Sequence, residues 1–195
     1  MRIRDLDFQD AAALLAWAKD PEGGRFFRGD SSSLCLKDME GFILGTMLCA
    51  GDLHQAIVDE SNQLVGLVSL KNIDEENRRA EFSIGLLPAA QGKGLAGAAV
   101  AELLPIAFDE LGLESIYMYT DAGNLPTRAF NERCGFRLLE SPPEGILPEA
   151  GGGAVLVWFQ PGGASAKRRR GRVAGQNLLQ QKDPAPSLLF EKDIL

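Results

Sequence analysis

Cysteine is scarce in this chain and poorly placed for a scaffold. Among 195 residues there are three, Cys35, Cys49 and Cys134, an odd number without metal-ligand spacing. That argues against a disulfide framework and for a reducing compartment. Histidine is scarcer still. His54 stands alone, in an expected strand, where a structural role is expected rather than catalysis. No metal site is expected. Long apolar runs are also missing. The stretch 42–50 is far too short to cross a bilayer, and the opening residues, with Arg2, Arg4, Asp5 and Asp7, lack the apolar core of a signal peptide. The expectation is a cytoplasmic protein without a membrane partner. Positive charge is deficient in the body of the chain. Residues 1–160 hold 13 basic against 24 acidic residues, a net −11, whereas residues 161–195 hold 7 against 3, a net +4. An acidic body repels phosphate backbones and favours cationic partners such as protonated amines.

What is present is enough apolar sequence, 45%, for one good core. The first residues read as a short strand, and Asp7 as the N-cap of a helix running to about Lys19, closed by the Asp20-Pro21 breaker. The serine cluster at 31–33 reads as the cap of a second helix, with Leu36, Met39, Ile43 and Met47 at helical spacing. The period then changes. Strands are expected at 54–59, 64–73 and 79–87, a helix at 94–110, a strand at 115–120, a short helix at 127–133, and strands at 136–140 and 154–160. Pro105 should kink the long helix, because it removes one backbone hydrogen bond. A three-strand meander followed by a strand–helix–strand unit indicates a mixed, mainly antiparallel α/β sheet with flanking helices. The expected organisation is a folded domain at 1–160 and a disordered basic tail at 161–195, carrying the run Lys167-Arg168-Arg169-Arg170-Gly171-Arg172. Nucleic-acid binding is not expected unless through that tail.

The most informative segment is Gln91-Gly92-Lys93-Gly94-Leu95-Ala96-Gly97, after a strand and opening a helix. Glycines and small residues let the backbone approach a ligand, and the helix N-terminus adds partial positive charge. Such a unit can hold a pyrophosphate, although a structural turn would have the same composition. It is neither a P-loop nor a dinucleotide fingerprint.

This segment resembles the Gln/Arg-x-x-Gly-x-Gly/Ala signature of the GNAT acetyltransferases. Two further elements resemble that family in order and spacing: Arg79-Ala80-Glu81-Phe82-Ser83-Ile84-Gly85-Leu86 upstream, then Asn124-Leu125-Pro126-Thr127 with Arg133-Cys134-Gly135-Phe136 downstream. Trp17 and Asp20-Pro21 look like the branch that includes ribosomal-protein N-terminal and spermidine acetyltransferases. The segment 66–74 is similar to spermidine and sugar-nucleotide amine acetyltransferases.

The resemblance implies acetyl-CoA as acetyl donor, a cationic primary amine as acceptor, no metal, and a monomer or homodimer. It implies that Ile84, Gly85 and Leu86 pair with the pantetheine arm like an added strand, and that Gln91, Gly92, Lys93, Gly94, Leu95, Ala96 and Gly97 hold the pyrophosphate. Gly85 fits either a bulge or a close backbone approach. Glu81 is the candidate that positions the amine and accepts its proton; the alternative is an edge residue paired with Arg78 or Arg79. The family's usual acid, a tyrosine seven residues after the motif asparagine, is absent: Asn131 stands there, after Phe130. Both are expected beside the donor. Thr127 would hydrogen-bond the donor sulfur, cap the short helix, or both. Asn124 would bond the pantetheine amide or fix its loop. The competing function is a GNAT-like module that binds CoA without turnover.

Overall fold

The computed structural model describes residues 1–21, 31–48, 51–139, 144–146 and 154–161. Residues 22–30, 49–50, 140–143, 147–153 and 162–195 lie outside the described residues, and with them the expected disordered basic tail.

Strand β1 (Arg2–Asp5) leads into a short 3-10 turn, Phe8–Asp10, and then α1 (Ala11–Lys19). Asp7 caps that turn as expected. Its side chain accepts from Gln9 N at 2.9 Å, while Asp10 reaches back to Asp7 N at 2.9 Å. Asp10 is buried and held by both terminal nitrogens of Arg4, at 2.7 and 2.9 Å. The second cap differs from expectation. Ser31–Ser33 forms its own 3-10 turn, and α2 (Leu36–Leu48) starts after Cys35, whose N–H donates to Asp38 Oδ2 at 2.7 Å. The cap residue is thus Cys35 and not a serine, and a carboxylate at the third helical position accepts the cap's own N–H.

The meander is β2 (Leu53–Val58), β3 (Leu64–Asp74) and β4 (Arg79–Leu86). Then come α3 (Leu95–Pro105), β5 (Ser115–Asp121), α4 (Leu125–Arg133), β6 (Arg137–Leu139) and β7 (Ala154–Phe159). They form one seven-stranded sheet in the order β1-β2-β3-β4-β5-β7-β6, antiparallel except for β4 against β5. At Pro105 the helix is not simply kinked. The missing N–H ends the α-helical ladder, and Ile106–Glu110 continues as a π-helical turn closed by Leu111 N on Ile106 O at 2.9 Å.

Alternation along the strands sorts two cores. On one face Ile57, Val68, Leu70, Phe82, Ile84 and Met118 pack with Ala96, Ala99, Val100 and Leu103 of α3 and Phe130 of α4. On the other, Leu14, Trp17, Met39 and Ile43 cover Ala56, Val58 and Leu67. The three alanine and valine positions of α3 let that helix lie close to the strands, and Leu103, fully buried, contributes about 1.5–3 kcal/mol of hydrophobic stabilisation. Position 66 is where two backbones meet. A Cβ on Gly66 would collide with the carbonyl oxygen of Gly85 and lie 2.6 Å from Leu86 Cδ2. It is Gly66, on the partner strand, whose lack of a side chain lets the two backbones approach here. No bulge occurs at Gly85, where the register Leu67↔Gly85 is regular.

Candidate active site

The sheet opens between β4 and β5. These parallel strands pair only at Arg79↔Ser115, Ala80↔Ile116 and Glu81↔Tyr117. Past that point β4 stays on β3 up to Leu86, while β5 follows β7 from Ile116 to Asp121. The edge of β4 carrying Ile84, Gly85 and Leu86 thus borders a wedge whose apex is Glu81 and Tyr117. An extended ligand arm fits such an edge as an added strand would.

Behind the wedge the chain turns through residues 88–94 into α3. Gly92 and Gly94 have φ of +71° and +77°, and a Cβ on either would meet nothing within 4 Å. Glycine is required here by the left-handed backbone, not by crowding within the protein. Gly94 is the N-cap and offers no side-chain cap. The first cap bond of the helix is Ala98 N to Gly94 O, so the N–H groups of Leu95, Ala96 and Gly97 precede the hydrogen-bonded ladder. Lys93 is exposed beside them. Gln91 donates from Nε2 to Leu86 O at 3.2 Å, so its side chain ties the turn to the end of β4.

On the far side α4 begins at Leu125, earlier than expected. Asn124 is its N-cap, with Oδ1 accepting from Thr127 N at 3.1 Å. Of the two roles considered for Asn124, the loop-fixing one is present, and the capping role considered for Thr127 belongs to Asn124. Thr127, Phe130 and Asn131 are all buried. Asn131 is unusual: its side chain is buried, yet neither amide atom has a hydrogen-bond partner among the described residues. Ser83 Oγ and Thr120 Oγ1, on the strands that border the wedge, are also buried without one. Unpaired buried polar atoms cost stability unless a ligand or solvent satisfies them. Cys134 is half-buried, and burial raises its thiol above the ordinary value against a smaller opposing pull from Arg133. It lacks the setting of a reactive thiolate.

The face of the sheet at the apex carries the polar residues. Glu81 pairs with neither Arg78 nor Arg79. Its Oε1 lies 3.1 Å from Lys71 Nζ, and its Oε2 accepts from Asn72 Nδ2 at 3.0 Å. Arg78 goes instead to Glu114, and Arg79 to Asp74 at 3.2 Å and to the Glu144 carbonyl at 2.7 Å. A register shift between Lys71 and Asp74, with Asn72 at φ +51°, presents Lys71 and Asn72 together to Glu81. Across the apex Tyr117 stacks on Trp158, centroids 6.2 Å apart and planes 15° apart, and meets Tyr119 edge-on. Burial first, then the Glu81 carboxylate, push the Tyr117 hydroxyl up to about 12, and the same two causes raise Tyr119. His54 lies further along this face, its Nδ1 2.8 Å from Ser69 Oγ and its ring edge-on to Phe42. Burial works against the charge of Asp52, but the bonds from His54 and Asn72 N–H outweigh it and hold that carboxyl below the ordinary value.

The structure therefore brings Glu81, Ile84, Gly85, Leu86 and the 91–97 turn to one wedge, with Asn124, Thr127, Phe130 and Asn131 on the helix that follows its other strand. Sequence reasoning missed Lys71, Asn72, Tyr117 and Tyr119. Their signal was the segment Lys71-Asn72 facing Glu81 across a hairpin, which only the register reveals. Among the described residues no group of three or more His, Cys, Asp or Glu is placed to hold a metal, and no helix is long and apolar enough to cross a membrane.

A sheet split at one parallel strand pair, with a glycine-rich turn opening a helix behind the split, defines a mixed α/β protein of the acyl-CoA-dependent acyltransferase type. Residues 1–137 match the acetyltransferase (GNAT) domain model, and the chain belongs to that family. It is 40% identical over 73 residues to a Bacillus subtilis protein named "Putative ribosomal N-acetyltransferase YdaF", covering 37% of this chain and 40% of that one. It is 36% identical over 80 residues to a spermidine N(1)-acetyltransferase of Vibrio cholerae, covering 41% and 46%. The matched segments thus span less than half of either relative. In fold it is similar to the spermidine N-acetyltransferase of Vibrio cholerae in complex with CoA and spermine, with TM-score 0.68 and 22% identity over 81% of this chain and 94% of that one.

Proposed function

We propose that this chain is an N-acetyltransferase that moves an acetyl group from acetyl-CoA to a primary amine by direct attack on the thioester. The observation that carries the reading is the wedge between β4 and β5 opening onto the glycine-rich start of α3. The donor pyrophosphate rests on the turn of residues 91–97, chiefly on the N–H groups that open the helix at 95–97, where the helix dipole favours negative charge. The pantetheine arm lies along Ile84, Gly85 and Leu86, and a backbone N–H of that edge polarises the thioester carbonyl. Thr127, Phe130 and Asn131 flank the sulfur end, and Asn124 holds their helix in place through its cap.

The acceptor enters at the apex. An ammonium R–NH3+ gives its proton to Glu81, directly or through water, and the free amine attacks the carbonyl carbon. The C–N bond forms, the C–S bond breaks with its electron pair going to sulfur, the nitrogen gives up its second proton, and CoA leaves as a thiol after taking up one proton. Burial raises the Cys134 thiol, which works against its ionising to a nucleophilic thiolate. The acceptor is a protein N-terminus, a polyamine or an amino sugar, and the reaction takes place in the cytoplasm.

One observation favours a second reading, a CoA-binding module without turnover: an unpartnered Asn131 occupies the position where the family's tyrosine would stand. The two separate when the full chain is mixed with acetyl-CoA and a panel of primary amines, and products are identified by mass spectrometry. An acetylated amine supports the enzyme. Calorimetric binding of acetyl-CoA with no product across the panel supports the module.

A further inference from the structure

The acidic body of this chain invites the expectation that the acceptor is strongly cationic, but the carboxylates Glu81, Asp74 and Asp52 beside the apex of the wedge are already compensated. Each of these three has a cationic or donor partner. Glu81 is 3.1 Å from Lys71 and bonded to Asn72. Asp74 is 3.2 Å from Arg79. Asp52 accepts from Asn72 N at 2.8 Å and has His54 Nε2 at 3.8 Å. The Lys71–Glu81 pair is also poorly screened, since the two side chains are only 12% and 16% exposed. At that depth a third charge feels both partners. Among the described residues, an aromatic and apolar cluster of Tyr117, Tyr119, Trp158 and Ile146 lies on the same face.

We propose that Lys71 sets the charge the acceptor can carry, so that the site takes an amine with one positive charge beside an apolar group and discriminates against polycations. This rests on the acetyl-transfer reading given above. A single ammonium enters facing Glu81 and loses its charge on deprotonation, while its apolar neighbour lies against the Tyr117–Trp158 stack. A second or third ammonium finds Glu81, Asp74 and Asp52 already compensated and is repelled by Lys71. Like charges brought together across a desolvated contact are strongly disfavoured, which is how selectivity is built by repulsion. Lys71 acts here through Glu81 and through its own field; it is a specificity residue and takes no proton.

The test compares kcat/KM of the full chain for spermidine with that for a short peptide whose free N-terminus is its only positive charge and is followed by leucine. Wild type should favour the peptide. Lys71→Met frees the Glu81 charge and should shift the spermidine-to-peptide ratio upward at least tenfold, whereas Lys71→Arg keeps the charge and should keep the wild-type ratio. Unpairing Glu81 will also lower Tm in Lys71→Met; a Tm change without a change in ratio means the pair is only structural, and overturns the proposal. So does a wild-type preference for spermidine. Binding of the same two amines to the CoA-saturated chain, measured by calorimetry, gives the ratio independently of turnover. Absence of turnover with any amine would then refute the acetyl-transfer reading, and the binding ratio would still decide the role of Lys71.

Discussion

Replacing Gly94 separates what the turn does for the protein from what it does for the donor. Gly94 sits at φ +77°, and a Cβ there would meet no protein atom within 4 Å. Gly94→Val therefore causes no clash in the free protein. It forces a side chain into the left-handed region, at about 1–2 kcal/mol, which in a chain of this length lowers Tm by roughly 2–8 °C. If the donor pyrophosphate lies on the N–H groups of residues 95–97, the valine methyls occupy the space through which it approaches. Losing even one charge-assisted hydrogen bond, worth about 1.5–3 kcal/mol, raises Kd roughly 10- to 150-fold. Gly94→Asn is the control for strain. Asparagine tolerates the left-handed backbone, so its Tm should stay near wild type while its side chain still stands in the approach and weakens binding. Calorimetry with acetyl-CoA and thermal melts of the three proteins make the comparison. Unchanged Kd in Gly94→Val, with the expected loss of Tm, would place the pyrophosphate elsewhere.

Other expectations follow from the apex and from α4. Glu81→Gln keeps shape but removes charge, so the rate at neutral pH should fall about 100-fold or more and recover partly as pH rises and free amine becomes available; wild-type rates would make Glu81 structural. Asn131→Ala should leave turnover within about tenfold, under roughly 1.4 kcal/mol of barrier, since an amide is no proton source; a loss of several hundredfold would assign Asn131 a catalytic role. The chain's only two tyrosines, Tyr117 and Tyr119, both titrate above the ordinary value of 10.0. Their folded pKa values are raised, so the stability they contribute is complete below pH 10 and is lost as pH climbs toward about 12 for Tyr117. An ultraviolet titration should accordingly show no tyrosine ionising at the ordinary value in the folded chain, and a normal phenolate transition would contradict the burial of this face.

Much of the fold was legible because its signals are local. The strand periods, the Asp7 cap, the glycine-rich turn before α3 and the disruption at Pro105 each depend on neighbouring residues, and each stands at the expected place. What was not legible depends on register. Counting back from the hairpin turn with Asp74 opposite Arg79 would put Asn72 opposite Glu81. The irregularity at residues 72–73 shifts the pairing by one and sets Lys71 there instead. A bulge has no composition of its own, so the partner of Glu81 could not be read, and with it went the charge balance of the apex. Gly66 was hidden for a related reason: its need for glycine comes from the backbone of β4, which meets it only across the sheet. The cap of α2 shows the opposite error, since three serines carried the right chemistry but the helix began where Asp38 reached the Cys35 N–H.

The central claim is direct transfer between two ligands held together at the apex of the β4–β5 wedge. Initial rates measured while acetyl-CoA and an accepted amine are varied against each other test it most directly, with the protein examined by mass spectrometry after incubation with acetyl-CoA alone. Intersecting reciprocal plots and an unmodified chain are expected, because both substrates must be bound before the C–S bond breaks. Parallel plots together with a chain that has gained an acetyl group would contradict the account.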